Sequence, residues 1–160
     1  MAKLLIMHPN TDTFGRQSIP TGLITALLKK HNHQVELFDT TFLEIHHLYH
    51  KDETHEEMFT KFHVFKKVDY SHLNLEKKKG DVIRIFEEKL SSYQPDLIAF
   101  SFWGSHLHAE GEFHAYFHAL QIVELANTRG IPIVVGGTVP TWNTEEVLKH
   151  PKINYVIRGE

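Results

Sequence analysis

The segment IPIVVGGTVPTW, residues 131–142, constrains the fold more than any other stretch of the chain. Its apolar run Ile131–Val135 is too short for a helix and reads as a buried strand. It ends in Gly136-Gly137, and a strand that ends in glycines leaves its backbone open to a ligand, because no side chain blocks the approach. Thr144–His150 then reads as a short helix, with Thr144 as its cap and Glu145 and Glu146 in its first turn. A second apolar run, Ile153–Ile157, completes a strand–helix–strand unit.

The same alternation runs through the rest of the chain. Ala2–Met7 and Gln34–Phe38 read as strands one and two. Between them lies a helix that starts near Ser18 and reaches Lys30, with Ile19, Leu23, Ala26 and Leu27 as its apolar stripe and Lys29 and Lys30 complementing its C-terminal dipole. Residues 43–80 form an irregular helical insert, including apolar stretches at residues 44–50 and 59–68. Asp81–Ser91 is a helix with the stripe Val82, Ile83, Phe86 and Leu90, and Leu97–Ser101 is strand three. Glu112–Thr128 is a helix closed by Gly130 at the left-handed position that follows many helices.

All five strands read as apolar on both faces, which implies a parallel sheet covered by helices on both sides. The expected architecture is α/β: a doubly wound, Rossmann-like sheet of order 2-1-3-4-5 in one domain over residues 1–160. Its ligand crevice would lie outside the C-terminal ends of strands one, three and four.

The net charge of −3 gives no electrostatic reason to expect nucleic acid or an anionic membrane as partner. No apolar run approaches the ~20 residues of a membrane span and no signal peptide precedes the first strand, so the expected location is the cytoplasm. The absence of cysteine excludes disulfides, thiolate zinc sites and cysteine nucleophiles from this chain.

Three loops converge on the expected crevice: residues 8–16, 102–110 and 136–143. The first is poor in glycine and is no phosphate cradle. No aspartate cluster follows strand one, which argues against a phospho-acceptor domain.

Lys3-Leu-Leu-Ile-Met-His-Pro-Asn10, Ile19-Pro-Thr-Gly-Leu23, Pro95-Asp-Leu-Ile-Ala-Phe-Ser101, Gly136-Gly-Thr-Val-Pro-Thr141, Glu146-Val-Leu148 and Asn154-Tyr-Val-Ile-Arg-Gly-Glu160 carry a resemblance. Together they resemble the N-terminal cobalamin-binding domain of cobalamin-dependent radical S-adenosylmethionine (SAM) enzymes. The resemblance implies a methyltransferase or cyclase-like enzyme in which this domain holds the cofactor. Gly136, Gly137 and Thr138 would contact the nucleotide tail, and Ser101 would hydrogen-bond it. Pro9, Asn10, Arg16 and Gln17 would edge the corrin, with Trp103 and Gly104 beside it.

Two departures qualify the likeness. Many cobalamin domains carry Asp-x-His-x-x-Gly after strand one, whose histidine ligates cobalt. Here the loop is His8-Pro-Asn-Thr-Asp-Thr-Phe-Gly15, so no loop histidine is expected on the metal. The family's Cys-x-x-x-Cys-x-x-Cys motif, which holds the iron–sulfur cluster, would follow Glu160 in a radical SAM domain. The chain itself is therefore expected to bind a cofactor and to have no catalytic residue of its own.

Other readings compete. His106, His108, His114 and His118 have spacing suited to zinc or nickel, although His114 and His118 fall opposite the Phe113–Phe117–Leu120 stripe and read as solvent-facing. His106 or His108 could also approach the cobalt or a substrate. His46, His47 and His50 read as polar surface of the insert, Arg16 also as a surface charge, and Trp103 also as a core plug. A final alternative is a Rossmann-like interaction module without cofactor, which would expose a hydrophobic patch near Ile157–Glu160 and self-associate.

Overall fold

Lys3–His8 forms the central strand β1, buried along nearly its whole length. In the computed structural model the described residues are 1–9, 19–40, 43, 82–102, 122–124 and 129–159. They contain, in order, β1, helix α1 (Ile19–Lys30), β2 (Gln34–Asp39), α2 (Val82–Tyr93), β3 (Leu97–Phe102), β4 (Ile133–Gly137), α3 (Thr138–Trp142), α4 (Thr144–Leu148) and β5 (Tyr155–Val156). The expected insert at 43–80 lies outside the described residues, apart from Leu43.

The five strands form one sheet of order β2-β1-β3-β4-β5, and every neighbouring pair is parallel. Helices pack on both faces, as the α/β reading requires. Reciprocal polar contacts fasten the N-terminal ends of the strands. The Lys3 amide donates to Asp96 Oδ2 (2.7 Å), and the Asp96 amide donates to the Lys3 carbonyl (2.8 Å). Asn154 treats Ile133 the same way: its Oδ1 accepts the Ile133 N–H (2.7 Å) and its own N–H donates to the Ile133 carbonyl (3.0 Å).

The two faces differ. Leu5, Met7, Phe38, Ile98, Phe100, Ile133 and Val135 form one face, packed beneath Val82, Phe86 and Leu90 of α2, the helical residues Ile122 and Val123, and Val147 of α4. Phe38 and Phe86 meet edge to face at 5.0 Å, a favoured aromatic geometry. The expected α2 stripe is therefore the buried one. The other face carries a smaller core of Leu4, Ile6 and Val35, with Leu28 of α1 packed on it beside Leu97 and Ala99.

Several expectations need correction. α1 does not dock through Ile19, Leu23, Ala26 and Leu27. It turns Thr21, Thr25 and Leu28 inward, and Ile19, Leu23 and Leu27 remain 74%, 67% and 57% exposed. The helix is apolar on nearly all sides, so apolar spacing could not tell which side meets the sheet.

The strands are not all apolar on both faces. β2 and β5 are the edges, with outer neighbours on one side only, and Leu37 and Tyr155 are exposed there. β4 begins two residues later than expected and runs into the glycine pair, so residues 136–143 are not a loop. Thr144 is the first residue of α4 rather than its cap: Asn143 holds the cap position, and Thr144 Oγ1 donates back to the Pro140 carbonyl (2.6 Å). Gly130, by contrast, has the expected left-handed conformation (φ 69°). The expected cap Ser18 lies outside the described residues.

Candidate functional site

Parallel register brings Ser101 of β3 directly beside Gly136 of β4, and Phe102 beside Gly137. Partners in a parallel ladder share a face, and successive residues alternate between faces. Ser101 and Gly136 therefore lie on the α1 face, continuous with Ala99 and Val134 one step below them. All four are half-buried. The result is a shallow trough of small side chains that opens at the C-terminal ends of the strands. Tyr155, which pairs with Val134, and Ile157, beside Gly136, border it on the β5 side.

The two glycines have different reasons to be glycine. Gly137 has φ 112° and ψ −167°, a conformation that side-chain-bearing residues avoid. It is dictated by the abrupt passage from β4 into α3. Gly136 has no such backbone demand. A Cβ built there would meet the Ile157 Cβ at 3.7 Å and the Ile157 carbonyl oxygen at 3.9 Å, ordinary van der Waals contacts. The fold would accept alanine at 136, so packing alone does not require the trough floor to be bare there.

α3 is held against this strand end by Thr141. Its Oγ1 donates to the Gly137 carbonyl (2.7 Å) and accepts the Gly159 N–H (3.2 Å). Thr138, expected at the ligand, is the first residue of α3 and is half-buried beside the glycine pair.

His8 is a residue that sequence reasoning passed over. It ends β1, only 8% exposed. It follows Met7, which pairs with Phe100, so it lies next to Ser101 on the trough face. Alternation turns its side chain to the same side as Leu4 and Ile6, toward α1 rather than over the strand ends. Its Nδ1 is buried without a hydrogen-bond partner. Burial holds its pKa below the ordinary histidine value, against an opposing pull from the Asp39 carboxylate, so the neutral imidazole is favoured. The available signal was a polar residue closing an otherwise apolar strand at the crevice.

Of the expected contact residues, Ser101, Gly136, Gly137 and Thr138 cluster at the strand ends, and Pro9 follows His8 at the end of β1. Asn10, Arg16, Gln17, Trp103 and Gly104 lie outside the described residues, as do His46, His47, His50, His106, His108, His114 and His118. Among the described residues no group of three or more His, Cys, Asp or Glu side chains could hold a metal ion. No helix among them is long and apolar enough to cross a membrane. No protein-family model, curated protein or solved structure matches the chain.

Proposed function

We propose that the chain is a cobalamin-binding domain of a cytoplasmic radical SAM enzyme of the methyltransferase or cyclase type. The observation that carries this reading is the Ser101–Gly136 pairing on one face of the sheet, beside a floor that the fold itself does not require to be bare. A bulky corrin needs an open shelf at the strand ends, whereas its narrow nucleotide tail needs a slot without side chains. The trough is such a slot.

In the proposed complex the tail runs down the trough, against the backbone of Gly136 and Gly137. The Ser101 hydroxyl hydrogen-bonds it, and Thr138 contacts it from the start of α3. His8 adds a neutral imidazole whose Nδ1 needs a partner. Because that side chain turns toward α1, the reading retains cobalt without a histidine ligand from this loop. Pro9, Asn10, Arg16, Gln17, Trp103 and Gly104 are assigned to the corrin edge by resemblance alone. Bound cobalamin would supply methyl transfer or assist radical chemistry, with SAM and an iron–sulfur cluster held by a C-terminal radical SAM domain. The present chain supplies position and exclusion of water.

The test is retention of hydroxocobalamin after desalting, compared with cobinamide, which has the corrin but no nucleotide tail. The expected outcome is corrin absorbance that stays with the protein for the complete cofactor and is largely lost for cobinamide. No retained absorbance with hydroxocobalamin would sink the reading. Equal retention of both corrinoids would remove the tail from the trough.

A further inference from the structure

His8 closes β1 as one member of a row that crosses four strands. It pairs with Asp39 of β2. It also follows Met7, which pairs with Phe100 of β3, and so stands beside Ser101, whose own partner is Gly136 of β4. Asp39, His8, Ser101 and Gly136 thus lie side by side on the α1 face. Two residues earlier on each strand the row is Leu37, Ile6, Ala99 and Val134, aliphatic throughout. The face therefore changes from apolar to hydrogen-bonding in one step, about 6.6 Å along the strands.

The polar row has a definite chemical character. Nδ1 of His8 is buried without a partner, on a residue only 8% exposed. An unpaired polar atom at such depth lowers stability until a ligand satisfies it. Burial favours the neutral imidazole, and the Asp39 carboxylate is close enough to act on it electrostatically. An anion set between them would gain no counter-charge from His8 and would be repelled by Asp39. A hydroxyl both donates and accepts, which suits imidazole, serine and carboxylate alike.

We infer that this row receives the ribose of the nucleotide tail and that His8 is the residue that selects it. The attached base then lies on Ala99 and Val134, and the phosphate stays outside the row, toward the open strand ends. This assignment rests on the cobalamin reading and adds to it the order in which the tail lies. In cobalamin the phosphate links the ribose to the corrin side, and the base sits on the far side of the ribose. A tail entering from the strand ends therefore presents phosphate, ribose and base in that order. The face offers solvent, hydrogen-bonding groups and aliphatic surface in the same order. One step of about 6.6 Å is a span that a ribose and its base cover.

Equilibrium binding of the tail's own fragments to the 160-residue chain tests it. The probes are dimethylbenzimidazole, its ribonucleoside α-ribazole, and α-ribazole phosphate. α-Ribazole is expected to bind about tenfold more tightly than the base alone, the effect of one hydrogen bond to a buried group. The phosphate should add nothing further. His8→Phe should erase the advantage of the ribose, and His8→Gln, which restores a neutral hydrogen-bonding group, should keep most of it. Both variants should retain the far-UV circular dichroism spectrum of the unsubstituted protein. A phosphate derivative bound about tenfold more tightly than the nucleoside would overturn the inference. A ribose advantage that survives in His8→Phe, or no binding of α-ribazole at all, would overturn it equally. If hydroxocobalamin is still retained in such a case, only the order of the tail is wrong. If it is not retained, the cobalamin reading falls as well.

Discussion

The Gly159 N–H donates to Thr141 Oγ1 at 3.2 Å, and the same hydroxyl donates to the Gly137 carbonyl at 2.7 Å. One side chain thus ties the segment after β5 to the glycine at the mouth of the trough. Thr141→Val keeps the shape and removes both hydrogen bonds. It should lower stability by about 1 kcal/mol and weaken corrin retention, because the position of the Gly137 carbonyl is then less defined. Thr141→Ser should restore both. Urea titration and hydroxocobalamin binding on the three proteins check this, and a Thr141→Val protein with unaltered affinity would free the site from this hydroxyl.

The glycine pair offers a separation of folding from binding. Gly136→Ala meets only ordinary contacts with Ile157 and reduces the freedom of the unfolded chain, so stability should hold or rise by about 0.5 kcal/mol. Its methyl group nonetheless fills the trough floor, and hydroxocobalamin affinity should fall at least tenfold. Gly137→Ala should instead destabilise by roughly 1–3 kcal/mol, because φ 112° is closed to it. Thermal unfolding and equilibrium binding distinguish the two. If Gly136→Ala binds corrin normally, the tail does not lie on that backbone.

At the opposite end of the sheet, Tyr93 has its hydroxyl buried without a partner. Burial, then the nearby Glu36 and Asp96 carboxylates, hold its pKa above the ordinary tyrosine value. Its ring lies 5.9 Å from both the Lys3 and Lys89 ammonium groups, and Lys89 also pairs with Glu36. Tyr93→Phe keeps the ring and both cation–π contacts while removing an unsatisfied polar atom. It should raise stability by about 1 kcal/mol with no effect on corrin binding. A loss of stability in urea titration would mean that the hydroxyl has a partner.

The strand order was legible because each strand is a short apolar run bounded by turn formers, and right-handed crossovers leave few topologies. α2 was legible for a related reason: Val82, Phe86 and Leu90 stand against a polar opposite side, so only one orientation buries apolar area. α1 carries apolar residues at both Leu23 and Leu28, and only its contact with Val35 and Ile6 decides between them. α3 was hidden by Pro140 and by Thr138 and Val139, whose local preferences oppose a helix. The Ser101–Gly136 register and the orientation of His8 depend on residues far apart in the chain, which no local pattern encodes.

His8 should make stability sensitive to acid in a predictable direction. Burial depresses its pKa in the folded protein below the unfolded value of 6.5. Above 6.5 both states are neutral at this position, and its contribution is level. As pH falls below 6.5 the unfolded chain takes up a proton that the folded protein resists, so stability declines until the folded pKa is passed. Asp39 lessens the effect without reversing it, since burial is the larger influence. His8→Phe removes the titration and the unpartnered Nδ1 together. Urea unfolding at about pH 5 and about pH 8 should show a smaller acid loss in His8→Phe than in the unsubstituted protein, with the difference between the two isolating His8 from the other histidines. The same substitution should weaken hydroxocobalamin binding at neutral pH, where the fold is intact. Parallel pH dependences in the two proteins would mean that the imidazole is not held neutral, and the trough would lose its buried hydrogen-bonding group.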